Sequence, residues 1–128
     1  MPYTNTWEAE GLYRKFIGRI SGHEILESNF ELHIDPNFQQ IKYIINDFIH
    51  VTEHSIQANH TKIYASTDEI IAETKGKLKV ALVVTQNSLI ALANNYREEM
   101  IDKKFECEIF QTVENARKWV SIEYIYNS

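Results

Sequence analysis

Cysteine is almost missing from this chain: Cys107 stands alone, so no intramolecular disulfide can form. Cations are in the minority, 13 against 18 acidic residues, and the formal net charge of −5 argues against generic nucleic-acid binding. That affinity comes from Lys and Arg set against phosphates, and here they are few and scattered. Long apolar runs are lacking too. The longest covers residues 80–84, far short of the roughly 20 needed to span a bilayer, so no transmembrane segment is expected. The opening Met-Pro-Tyr-Thr-Asn has neither the basic nor the apolar region of a signal peptide, which makes the cytoplasm the expected compartment. With four glycines and two prolines, there is no flexible linker, internal repeat or low-complexity tract.

What remains is ordinary globular composition, 44% apolar and 24% charged in 128 residues, enough for one core and one domain over residues 1–128. Dimerisation stays open, since a cytosolic chain needs no disulfide to achieve it.

The hydrophobic pattern alternates between strand and helix. Residues 3–7 and 12–20 read as a hairpin whose turn ends at Gly11, a position for positive φ. Gly18 suggests close approach of a neighbouring element. Ser21 and Glu24 form a capping-box pair that starts a helix, with Leu26, Phe30 and Ile34 as its buried stripe, His33 beside it, and Asp35-Pro36 as its stop. Residues 41–48 form a β-branched and aromatic inner strand. Residues 57–74 are helical, with Ile56, Ile63 and Ile70 one heptad apart and Lys75-Gly76-Lys77 as terminator.

Residues 78–85 are apolar on both faces, as a central parallel strand covered on both sides should be. Thr85 caps a third helix carrying Leu89, Leu92, Ala93, Tyr96 and Met100. Residues 105–110 alternate Phe105, Cys107 and Ile109 with Glu106 and Glu108, an edge strand with one solvated face. Thr112 then caps a last helix that buries Val113, Ala116 and Val120. Ile122, Tyr124, Ile125 and Tyr126 make the tail too apolar for a solvated end. The expected fold is α/β: a mixed sheet of about five strands, an N-terminal hairpin plus parallel strands, covered by about four helices.

Trp7-Glu8 before Gly11, Phe16-Ile-Gly18, Tyr43-Ile-Ile-Asn-Asp47, Lys79-Val-Ala81 and Ala116-Arg-Lys-Trp119 resemble the SpoIIAA-like group of the STAS-like superfamily, in order and spacing, over nearly the whole chain. The resemblance implies a mixed sheet with helices packed on it and a non-enzymatic regulatory or binding module. It also implies either a protein partner or, as a second reading, a lipid or other small apolar ligand. The best-known members are anti-sigma-factor antagonists, switched by phosphorylation of a serine just after the third strand. Here residues 48–55, Phe-Ile-His-Val-Thr-Glu-His-Ser, lack an Asp-Ser-Ser-Gly run, which leaves Thr52 and Ser55 as the hydroxyls that could accept a phosphate.

Asp47, placed at the carboxyl end of an inner strand, lies where open α/β sheets build their sites, although a turn-forming carboxylate that accepts backbone N–H groups is the better explanation. The same edge should gather His50, Thr52, His54, Ser55, Thr85 and Ser88 as a ligand- or partner-binding surface. His50, His54 and His60 with Asp47 and Glu53 do not show metal-ligand spacing, and neither a metal nor any other cofactor is expected. Cys107 points inward without a cation to activate it. Ser21, Ser55 and Ser88 lack a nucleophile elbow, and Gly18 and Gly22 form no phosphate loop. Trp119 beside Arg117 and Lys118 reads as packing rather than a nucleic-acid patch.

Overall fold

In a computed structural model, which describes residues 2–122, five strands form one sheet in the order β1-β2-β3-β4-β5. β1 (Tyr3–Trp7) runs antiparallel to β2 (Gly11–Ile20), while β3 (Tyr43–His54), β4 (Leu78–Val83) and β5 (Phe105–Phe110) follow in parallel register. The crossovers are α1 (Gly22–Ile34) with a 3₁₀ turn at Pro36–Gln40, α2 (Ala58–Lys75) and α3 (Asn87–Glu99), and α4 (Val113–Val120) closes the described chain. The mixed α/β sheet read from the sequence is therefore present.

One face of the sheet carries the main core, with Leu12, Phe16, Ile20, Phe38, Leu78 and Phe105 almost fully buried beneath α1, α2 and α3. The opposite face holds a small second cluster, Ile45, Ala81, Val83 and Ala116, under α4. β4 is buried on both faces, as expected, but the middle position belongs to β3. Local signals placed several boundaries correctly. The Ser21–Glu24 capping box forms in both directions, Asp35 ends α1, and the Thr112 hydroxyl accepts from the Asn115 N–H at the start of α4. α3 starts one residue later than expected: its N-cap is Gln86, not Thr85.

Three expectations change. First, β3 continues to His54 instead of ending near Phe48, because two irregularities let it accommodate extra residues against β2, between Lys15 and Ile17 and between Gly18 and Arg19. Asp47 is therefore in mid-strand, and residues 49–54 form strand rather than loop.

Second, Gly11 and Gly18 exchange roles. Gly18 takes φ +75° at one of these irregularities and has open space around it, whereas an added Cβ on Gly11 would sit 2.2 Å from the Tyr43 ring.

Third, much of the expected apolar stripes of α1 and α2 faces outward: Phe30, Ile34, Ile63 and Ile70 are exposed, while Leu26 and Ile56 pack partly buried against the core. Ser28, Asn29 and Asp68 are buried instead. Ser28 and Asn29 accept from Arg14 and Asp68 from Tyr96 inside the protein, and an inward cation without acceptors would cost more than burying Phe30 and Ile34 would gain. The apolar tail predicted beyond Ile122 lies outside the described residues.

Candidate functional site

The parallel strands point their carboxyl ends at one edge, where β3 hands over to α2 and β4 to α3. His54 is the last residue of β3, and its Nε2 lies 2.9 Å from the Ser88 hydroxyl in the first turn of α3. Its Nδ1 accepts the Ile56 backbone N–H at 3.2 Å, so that nitrogen carries a lone pair and Nε2 carries the proton. His54 thus donates to Ser88. A histidine oriented this way cannot take the serine proton, and the pair is no nucleophile and base. The Gln86 side chain also reaches back to the Val51 carbonyl, tying the start of α3 to β3.

Of the residues expected here, His54 and Ser88 meet directly. Ser55 is the first residue past β3, exposed, with its backbone N–H held by Ile20 O at 3.1 Å. Thr85 is exposed just ahead of the α3 cap. His50 and Thr52 are exposed within β3 itself, and His50 stands opposite Ile17 in the register.

Asp47 sits elsewhere. It is buried, its Oδ2 accepts the Tyr13 hydroxyl at 2.5 Å, and its Oδ1 accepts the Ile49 N–H at 3.0 Å where the β2–β3 register breaks. The carboxylate thereby satisfies a donor that the irregular ladder leaves over, the structural alternative weighed from the sequence. Around it, the Arg117 guanidinium lies over the Tyr13 ring and pairs through two bonds with Glu8, which also accepts the Tyr43 hydroxyl. Arg117 and Tyr43 hold the Glu8 carboxyl below its usual range against the opposing effect of burial, with Arg117 the larger influence.

His60 belongs to the architecture: its Nδ1 accepts the Gln57 N–H at 2.9 Å, and its ring fills the space that a Cβ on Gly22 would need. Among the described residues, no three His, Cys, Asp or Glu side chains gather to hold a metal ion. Burial raises the Cys107 thiol pKa well above its usual value. No helix among the described residues is long and apolar enough to cross a membrane.

A second polar group, inside the main core, went unnoticed in the sequence. Arg14 points inward between Leu12 and Phe16 and donates to Asn46 Oδ1 at 2.9 Å, Ser28 Oγ at 3.2 Å and Asn29 Oδ1 at 2.8 Å. Burial pulls its pKa down to about 10, partly offset by Asp68. Asp68 in turn accepts the Tyr96 hydroxyl at 2.5 Å and stands 3.3 Å from His33 Nε2. Period-two alternation along β2 was the available signal, since it puts Arg14 on the same face as Leu12 and Phe16.

The chain is similar in structure to the anti-sigma factor antagonist SpoIIAA, solved in its unphosphorylated form. The TM-score is 0.58 at 11% identity, over 94% of this chain and 99% of that one. It is also similar to an uncharacterised protein with a SpoIIAA-like fold from Shewanella loihica PV-4. There the TM-score is 0.47 at 16% identity, over 92% of this chain and 91% of that one. No family model matches the sequence, and no curated protein does. The first of these likenesses shows the fold: the chain has the five-stranded mixed sheet and four helices of SpoIIAA.

Proposed function

We propose that this chain is a non-enzymatic regulatory module that binds another protein through the edge formed by His54, Ser55, Thr85 and Ser88. The observation that carries this reading is the direction of the His54–Ser88 hydrogen bond, within the fold of a protein described as an anti-sigma factor antagonist. With Nδ1 occupied as acceptor, His54 presents a fixed donor, suited to recognition and unsuited to acid–base chemistry. The STAS resemblance suggests a switch at Thr52 or Ser55, and the extended β3 supports Ser55, the first hydroxyl past the third strand, exposed beside the start of α2. A phosphate there would bring a charge of about −1.5 to −2 next to Glu53 and to the α2 N-terminus, and so change what the edge accepts. Binding to the host's proteins should survive Ile70→Arg on the outer face of α2 and disappear with Ser88→Arg. Equal retention by the two variants would refute the assigned edge.

A second reading, a carrier of a small apolar molecule, is favoured by a cavity of about 90 Å³ between the sheet and α1–α3. Native mass spectrometry of the purified protein separates the two readings. A defined mass lost on denaturation supports the carrier, and a covalent phosphate supports the switch.

A further inference from the structure

The cavity is not uniformly apolar. Leu82, Leu89, Ala93 and Phe105 line its hydrocarbon side, while Phe48 and Leu92, each only partly buried, carry the lining toward the surface. On its polar side stand Arg14, Asn29, Asn46, His33 and Asp68.

Arg14 is 4% exposed, and its three bonds all go to neutral acceptors. A guanidinium carries five N–H donors, so two are left over. Among the described residues, no carboxylate lies within ion-pair distance of it. Asp68, on the same wall, is engaged with Tyr96 at 2.5 Å and with His33 at 3.3 Å. A second unmet group adds to this: His33, its side chain 6% exposed, has a buried Nδ1 with no partner among the described residues. Asp68 acts on Arg14 from a distance and only partly offsets its burial, and a carboxylate accepting the two remaining guanidinium N–H groups would remove the rest of that penalty.

We propose that the cavity is a binding site for a small monocarboxylic acid, its carboxylate seated on Arg14 and its hydrocarbon chain against Leu82, Leu89, Ala93 and Phe105. The proposal rests on the carrier reading and adds the head group to it. An engineered cavity of about 150 Å³ holds the six heavy atoms of benzene, so this one, at about 90 Å³, encloses roughly four: the carboxylate and the carbon next to it. Longer chains must emerge past Phe48 and Leu92.

The test is calorimetric titration of the wild-type protein with butanoate and hexanoate, beside the amides and alcohols of the same chain length. The acids should bind at least tenfold more tightly than the amides, and the Arg14 Nε–H resonance should shift with acids alone. Arg14→Met, close to arginine in length and without its charge, should bind acids and amides alike. If alcohols and amides bind wild type as well as the acids do, the carrier reading stands and the carboxylate assignment falls. If none of the three binds at millimolar concentration, both fall. Should Arg14→Met fail to fold, the acid-to-amide ratio on wild type still decides.

Discussion

Tyr64→Phe and Tyr96→Phe form a matched pair of perturbations. Each deletes one hydroxyl from a tyrosine that is 7% exposed, and neither changes the volume of the ring. They differ in what accepts the bond. Tyr64 donates to the neutral Gly22 carbonyl at 2.6 Å and Tyr96 to the Asp68 carboxylate at 2.5 Å. A neutral hydrogen bond contributes a net stabilisation of about 0.5–1.5 kcal/mol, and one to a charged group about 1.5–3 kcal/mol. Tyr96→Phe also leaves Asp68, 9% exposed, with His33 as its remaining close polar neighbour at 3.3 Å. The expected losses are therefore about 1 kcal/mol for Tyr64→Phe and about 2–3 kcal/mol for Tyr96→Phe. At roughly 3–5 °C per kcal/mol in a chain of this size, Tyr96→Phe should lower Tm by about 6–15 °C. Urea unfolding followed by circular dichroism measures both, with an unchanged m-value as the sign that only stability has moved. Asp68→Asn makes the acceptor neutral, and in that background Tyr96→Phe should cost about 1 kcal/mol, which a double-mutant cycle reads directly. Equal losses for the two single variants, or no coupling to Asp68→Asn, would refute the view that a charged acceptor anchors α3 to α2.

Burial raises the pKa of Tyr3 and Tyr43 to about 12, and each also donates to a carboxylate, Glu31 and Glu8; burial raises Tyr13, Tyr64 and Tyr96 as well. A tyrosine with a raised folded pKa stabilises the fold below its unfolded value near 10 and loses that contribution as pH climbs, so stability should fall from about pH 10 upward. An absorbance titration should show most of the seven tyrosines ionising only with unfolding. Gly18→Ala should cost about 1–2 kcal/mol, because its φ of +75° is left-handed, and Gly18→Asn should cost less than Gly18→Ala in the same thermal melt. Gly11→Ala drives a Cβ into the Tyr43 ring, so Tyr43→Ser should restore much of the lost Tm. Trp119 is only partly buried, packing on Phe110 at 5.7 Å and beneath the Lys79 ammonium at 5.1 Å. Its truncation to Ala should cost about 2 kcal/mol in urea unfolding rather than the 3–5 of a fully enclosed ring. Cys107 should resist thiol reagents until the protein unfolds, and rapid native labelling would place it outside the core.

What depends on neighbouring residues was legible in the amino-acid order. Alternation in β5, two-sided apolarity in β4, the Ser21–Glu24 and Thr112 caps and the stop at Asp35-Pro36 are local chemistry, and they define a mixed α/β sheet before any packing is known. The meeting of His54 with Ser88 was legible to the same degree, because parallel strands bring their carboxyl ends to one edge. What depends on partners distant in the chain emerged with packing. The irregular pairing with β2 lengthened β3 and moved Asp47 from an edge into the interior, beside a tyrosine 34 positions away. Arg14 drew acceptors from α1 and β3, turning Ser28 and Asn29 inward and leaving Phe30 and Ile34 outside. Helical periodicity scores apolar stripes and has no register for a buried cation, whose demand for acceptors outweighs two or three exposed hydrophobic side chains.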